Sequence, residues 1–369
     1  MEQNKIEREK EYLYWLCQIP GIGAVSMAKM WGMFHSFERI YNIEGTQLVS
    51  MGILSQKAGK AFDGRKRKIE EEGTNYKRLK EKGIRFVSVL DEEYPKRLKD
   101  IYDFPMALYV KGRLPDDRIP SAAIIGARNC TSYGRQTAQI LGRCLGEAGV
   151  QVISGMALGI DGAGHQGALD GKGSTFAVLG SGVDVCYPQR HWQLYCQIWE
   201  KGGILSEFPM GEPALPQHFP MRNRIISGLA DVIVVVEARE RSGSLITADL
   251  GLEQGKEIYA VPGMITSQLS LGCNQLIRQG AAIVTAPEDI LEFFRINEKQ
   301  KIKLGEKNEN GLAKKEKMLY SCLDFQPKFF DQIVLESGLP VEEVMSLLME
   351  LEWKGFILQP ASHYYVRRL

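Results

Sequence analysis

Six short apolar runs, at residues 122–126, 150–155, 175–180, 231–237, 257–261 and 281–285, alternate with helical stretches and most constrain what this chain can fold into. A strand that is apolar along its whole length, not at alternate positions, must be buried on both faces. Helix-sized connections between such strands provide that cover and return the chain so that the strands run parallel. Residues 80–297 are therefore expected to form a doubly wound, mostly parallel α/β sheet that gathers ligands at the carboxyl ends of its strands.

The flanks read differently from this Rossmann-like centre. In residues 1–75, apolar residues recur at helical spacing over 12–17 and 24–34, with Ile19-Pro20-Gly21-Ile22-Gly23 between them. This is the pattern of a helix–hairpin–helix (SAM-like) domain. Its Gly-rich turn either grips a phosphate through exposed N–H groups or simply makes the tight connection between packed helices. The run Arg65-Lys66-Arg67-Lys68 is balanced at once by Glu70-Glu71-Glu72, which describes a solvated helix face. Residues 298–313 are polar and read as a linker. Residues 314–369 carry three short helical patterns and then a hairpin pattern, the outline of a winged helix. Its expected recognition helix, Val341–Trp353, contains Glu342, Glu343, Glu350 and Glu352 and no basic residue, so it is a poor reader of a phosphate backbone.

Charge and composition narrow the function. With 46 Lys and Arg against 45 Asp and Glu, the net charge of +1 gives no overall attraction for nucleic acid, so any such binding requires positive charge gathered locally. Seven scattered cysteines without a CxxC pair, and five histidines without ligand spacing, predict neither a disulfide framework nor a metal site, and no cofactor is expected. No apolar run approaches the roughly 18–20 residues of a membrane span, and the charged N-terminus lacks the core of a signal peptide. A cytoplasmic protein is expected.

The loops after the strands carry the candidate site. Gly126-Ala127-Arg128-Asn129 precedes a helix, with a glycine that permits close backbone approach and an arginine suited to phosphate. Ser154-Gly155-Met156-Ala157-Leu158-Gly159-Ile160-Asp161 follows the second core strand; its small residues suggest that something approaches the backbone, and Asp161 is expected as a helix N-cap, with a base as the alternative role. His165 reads as a packed, hydrogen-bonded histidine. Tyr187-Pro188-Gln189-Arg190 adds Arg190. In Phe219-Pro220-Met221-Arg222-Asn223-Arg224, proline opening a helix would set two cations in the first turn, where the helix dipole disfavours them unless an anion sits there. Alternatively, either arginine pairs with a buried carboxylate such as Glu207 or Glu237. Ser242-Gly243-Ser244 offers hydroxyl and N–H donors at a further helix start. There is no GxGxxG fingerprint and no Walker loop, and donors without a nucleophile or an acid–base pair describe binding, not catalysis.

The ordered series GARN, SGMALGID, AVLGSGVD, YP, FPMRNRIISGL, RSGSLITA, AVPG and GCNQLIRQGA resembles the DprA/Smf (DNA processing protein A) family across the central domain. The resemblance implies a dimeric protein that binds single-stranded DNA with little sequence preference, protects incoming DNA and loads the RecA recombinase in natural transformation, with no catalytic reaction. It assigns Arg128 to the family's G-[SA]-R loop and Phe219, Arg222 and Asn223 to its FPxRNR element. Where many relatives have basic residues this chain has Ser174 and Pro216, with Lys172 and Arg190 as nearby substitutes. Two competing readings are a phosphoribohydrolase-like nucleotide-processing enzyme, whose PGGxGTxxE glutamate has no counterpart in Arg241–Thr247, and a nucleotide-sensing regulator acting through the winged helix.

Overall fold

The computed structural model describes residues 2–66, 69–296 and 312–367. The expected linker, 298–313, lies almost entirely outside the described residues, as do Arg67 and Lys68.

Six helices open the chain: α1 (Glu2–Cys17), α2 (Ala24–Phe34), α3 (Phe37–Asn42), α4 (Gly45–Ser50), α5 (Gln56–Lys66) and α6 (Ile69–Glu81). The turn between α1 and α2 holds Gly21 at φ +83°, a conformation that favours glycine, and Gly23 is the N-cap of α2. The turn's own geometry thus accounts for Gly21. Glu72 is buried and pairs with Arg65 at 2.5 Å, so part of the basic run is held by a carboxylate and is not simply solvated.

Strand β1 (Ile84–Ser88), short helix α7 (Lys96–Lys99) and strand β2 (Ala107–Gly112) follow. The central unit then alternates β3 (Ser121–Ile125), α8 (Ser132–Glu147), β4 (Gln151–Ser154), α9 (Ile160–Asp170), β5 (Thr175–Val178), α10 (Trp192–Lys201), β6 (Gly203–Ser206), α11 (His218–Leu229), β7 (Val232–Val235), α12 (Gly243–Glu253), β8 (Glu257–Ala260), α13 (Leu271–Arg278), β9 (Ala282–Ile283) and α14 (Glu288–Phe293). The strands form one nine-stranded sheet in the order β1-β2-β6-β5-β4-β3-β7-β8-β9. Pairing is parallel from β6 to β9, and only β1 with β2 and β2 with β6 are antiparallel. All six apolar runs are strands of this sheet. Every residue of β3, β4, β5 and β7 is buried, as strands covered on both faces must be.

Chain order reverses between β3 and β7. The connections from β3 run outward through β4, β5 and β6, and those after β7 run the other way. The loops leaving β3 and β7 therefore diverge and open a crevice at the carboxyl ends, the usual place for a ligand in such sheets.

The N-terminal helices share a core with one edge of the sheet. Tyr14 packs edge-on to Phe86 of β1 (5.5 Å between ring centroids), and Phe86 packs on Tyr109 of β2 (5.2 Å). Residues 312–367 form α15 (Lys314–Ser321), β10 (Lys328–Phe329), α16 (Phe330–Ser337), α17 (Val341–Trp353), β11 (Ile357–Ala361) and β12 (Tyr364–Arg367), with β10-β12-β11 as a small sheet. This is a winged helix with its own buried cluster, including Leu319, Ile333, Val344, Leu348 and Ile357.

Candidate nucleic-acid interface

A groove of about 600 Å³ opens where the sheet order reverses. Its walls come from the loop after β3, the start of α11, and the loop from β7 into α12. Eight of the twelve expected site residues line it together: Gly126, Arg128, Phe219, Arg222, Asn223, Ser242, Gly243 and Ser244. Four arginines, Arg128, Arg222, Arg239 and Arg241, face one carboxylate there, Asp161. The local positive charge that the whole chain lacks is gathered at this place.

Arg128 and Asn129 are exposed on the β3 loop, just before the helix that Thr131 caps by accepting the Gly134 N–H at 3.0 Å. Buried Glu237, from the end of β7, accepts the Thr131 N–H (2.9 Å) and hydroxyl (2.5 Å). Glu237 thus ties the two diverging loops together and is not an arginine's partner. The Arg128 guanidinium lies 4.8 Å from the centroid of the half-buried Phe219 ring, and the Tyr187 ring lies 5.7 Å from Phe219 on a tilt of 34°. A cation over one aromatic face with a second, exposed ring beside it offers charge and stacking surface in one place.

Across the groove, Ser242 caps α12 by accepting the Ser244 N–H at 3.2 Å, and Asn223 donates to the Gly243 carbonyl at 3.4 Å. The space around the α-carbon of Gly243 is open.

Four expected residues do not reach this groove. Ser154 is buried and donates to the Ile124 carbonyl at 2.6 Å. Gly155 is close to the Arg222 guanidinium, which occupies the space that a side chain at 155 would need. The space beside Gly155 is thus taken by the protein's own arginine, while Ala157 of the same run lines the groove. Arg190 is exposed on a 3-10 turn, Gln189–His191, outside the groove lining. Arg224 is buried and forms ion pairs with Glu207 (2.7 Å) and Asp103 (2.9 Å).

Three further expectations need correction. Helix α11 starts at His218, not at Pro220, so Arg222 and Arg224 lie in its second turn. The dipole penalty fades beyond the first turn, and the inference of an anion from it falls away. Asp161 is not an N-cap: Gly159 takes that position, and the Asp161 carboxylate accepts the Gly155 N–H at 3.2 Å. Lys172 and Ser174 sit just before β5, at the amino ends of the strands and opposite the groove, so Lys172 cannot substitute there.

Arg222 is buried and donates to the carbonyls of Gly155 (2.9 Å) and Val178. Burial pushes its guanidinium down to about 10, against the attraction of Asp161, so it remains cationic at neutral pH. Burial likewise pushes the Asp161 carboxyl up, opposed by Arg222 and by backbone N–H groups. Arg222 is thus a charged floor to the groove, while Arg128, Arg239 and Arg241 are its exposed cations.

Sequence reasoning passed over Arg239 and did not assign Arg241 or Tyr187 to the site. All three follow strand ends, and the loop from β7 at the order reversal is the signal that points to the two arginines. Among the described residues, no group of three His, Cys, Asp or Glu is placed to hold a metal ion, and no helix is long and apolar enough to cross a membrane.

Fold and groove together define the class: a doubly wound α/β protein with a positively lined crevice at its switch point, joined to a winged helix. Residues 85–295 match the family model of DNA recombination-mediator protein A, residues 306–361 match the DprA winged helix domain, and the chain belongs to this DNA-processing family. It is 39% identical over 284 residues to Protein Smf of Escherichia coli strain K12, covering 75% of this chain and 76% of that protein. The X-ray structure of DNA processing protein A from Streptococcus pneumoniae superposes with a TM-score of 0.67 at 33% identity, over 76% of this chain and 97% of that one. A structure of the Helicobacter pylori DNA processing protein A, described for its single-stranded DNA binding mode, gives a TM-score of 0.51 at 28% identity, over 57% and 96%.

Proposed function

We propose that this chain binds single-stranded DNA along the switch-point groove, shields it, and delivers it to a RecA-type recombinase, acting as a cytoplasmic homodimer. The observation that carries the reading is Arg128 over the Phe219 ring, with Tyr187 beside it, at the lip of an arginine-lined groove. Cations meet phosphates of any sequence, and aromatic faces accept any base that is unpaired. A duplex keeps its bases stacked on one another, so the aromatic part of the site favours single strands. The single-stranded DNA binding described for the Helicobacter pylori relative supports the same ligand. Delivery to RecA and the dimer rest on the family resemblance.

Gel-shift titrations with single- and double-stranded oligonucleotides of equal length, with and without RecA, test the proposal, and sedimentation gives the oligomeric state. Single strands should bind more tightly regardless of sequence, and RecA should assemble faster on the bound strand. Equal affinity for duplex would refute the groove as a single-strand site.

A further inference from the structure

The recognition helix of the winged helix carries an apolar face that none of the described residues covers. Val341, Met345, Met349 and Trp353 recur every four residues along α17 and are 54, 49, 67 and 88% exposed. Val344, Leu348 and Leu351 enter the core from the neighbouring face of the helix, so the core is already served by other residues than those of the stripe. An exposed stripe of large apolar side chains along three turns costs solvation and marks a contact surface. Two of its four members are methionines, whose flexible thioethers adapt to different partners.

The charge around the stripe selects the partner. At 100° per residue, Glu352 and Glu342 fall within the same face, between the apolar residues. Both are exposed, and among the described residues neither has an ion-pair partner. Glu343, on the flank, is paired with Lys315. Residues 312–367 hold six Lys and Arg against eight Asp and Glu. Three of those basic side chains, Lys315, Lys328 and Lys354, are already in ion pairs, and Arg367 donates to the Tyr320 carbonyl. A phosphate backbone would be repelled by this face. A second copy of α17 packed antiparallel would bring Glu342 of one helix against Glu352 of the other, which disfavours self-association.

We infer that α17 is a docking surface for an amphipathic helix of a partner protein, one whose apolar face is flanked by Lys and Arg. The apolar stripe would take the partner's hydrophobic anchors, as helix-in-groove recognition does, and Glu342 and Glu352 would take its basic flanks.

The test uses the full chain and a labelled synthetic amphipathic peptide with leucines on one helical face and lysines on both flanks. A twin peptide replaces every lysine with glutamate. Fluorescence anisotropy should show binding of the lysine peptide only, weakening with added salt. Met349→Asp should weaken it by roughly tenfold or more, as loss of a central anchor does, with Tm unchanged because the residue is exposed. Glu342→Gln with Glu352→Gln should weaken it and flatten the salt dependence. The inference is overturned if neither peptide binds, if the glutamate twin binds as tightly, or if Met349→Asp and Trp353→Ala both leave binding unchanged. Concentration-dependent self-association that Met349→Asp abolishes would also overturn it, by assigning the face to a second copy. None of these outcomes bears on the groove of the central domain.

Discussion

The guanidinium of Arg128 stands 4.8 Å from the centre of the Phe219 ring, joining the loop after β3 to the start of α11 across the mouth of the groove. The two residues are far apart in sequence and are carried by different elements, the loop leaving β3 and the helix that follows β6. One is exposed and charged, the other half-buried and aromatic, so their contributions to DNA binding can be measured separately.

Arg128→Ala should lower single-strand affinity on every sequence alike. If the guanidinium meets one phosphate, the slope of log affinity against log salt should become shallower by about 0.7. Because the side chain is exposed, Tm should stay close to the parent value. Phe219→Leu should cost roughly 1–3 kcal/mol of affinity for the base it stacks and leave the salt slope nearly unchanged. Salt titrations and melting curves on the same preparations check both. Stable variants that bind as the parent does would refute the site.

Arg224→Ala should behave in the opposite way. Its guanidinium is held by Glu207 and Asp103, and removing it leaves the Glu207 carboxylate, whose side chain is only 14% exposed, without its arginine. Breaking such a pair costs about 3–5 kcal/mol of stability. At a temperature where the variant remains folded, its single-strand affinity and salt slope should match the parent. A fall in affinity without a fall in Tm would place Arg224 in the interface after all.

Asp161 lines the groove, and burial raises its carboxyl. A hydrolase would use such a group, yet here it accepts the Gly155 N–H and faces Arg222. We expect no release of base or phosphate from nucleoside monophosphates, NAD or ATP. Turnover that survives rigorous purification and disappears in Asp161→Ala would show an enzyme.

A chain ending near residue 300 should keep most of the single-strand affinity, since the winged helix has its own core and its recognition helix is acidic. The comparison is made by anisotropy at constant salt, with the oligomeric state checked by sedimentation. A large loss with the oligomer intact would show that the winged helix holds DNA.

His165 sets an acid limit on stability. Thr175 donates its hydroxyl to the Val152 carbonyl at 2.8 Å, so at 2.6 Å it accepts from Nδ1 of His165, and the buried Nε2 has no partner among the described residues. Burial holds this imidazole down to about 3 in the folded chain, against roughly 6.5 when unfolded. The unfolded chain therefore takes up the proton first. The full stability is present above about pH 6.5 and is lost as pH falls from there towards 3, by up to about 1.4 kcal/mol per pH unit. His165→Leu should flatten this limb in melting curves recorded against pH. An unchanged limb would assign the acid sensitivity to other groups.

The order of strands and helices in the central domain was legible in the residues, because burial on both faces writes itself as continuous apolar runs. The motifs after those strands and the three-helix-plus-hairpin pattern of the C-terminal segment were legible for the same local reason. Strands β1, β2 and β6 were not. β1 and β2 form the antiparallel edge, where burial is uneven, and β6 is a four-residue strand that opens with glycine. The division of labour among the arginines belonged wholly to the tertiary structure. Arg222 and Arg224 are two residues apart, about 200° around a helix, so one forms the floor of the groove and the other faces away to Glu207 and Asp103. Their spacing says that they diverge. Only the packing of α11 against the loops after β4 and β6 decides which of them meets a carbonyl, which a carboxylate, and which faces the groove.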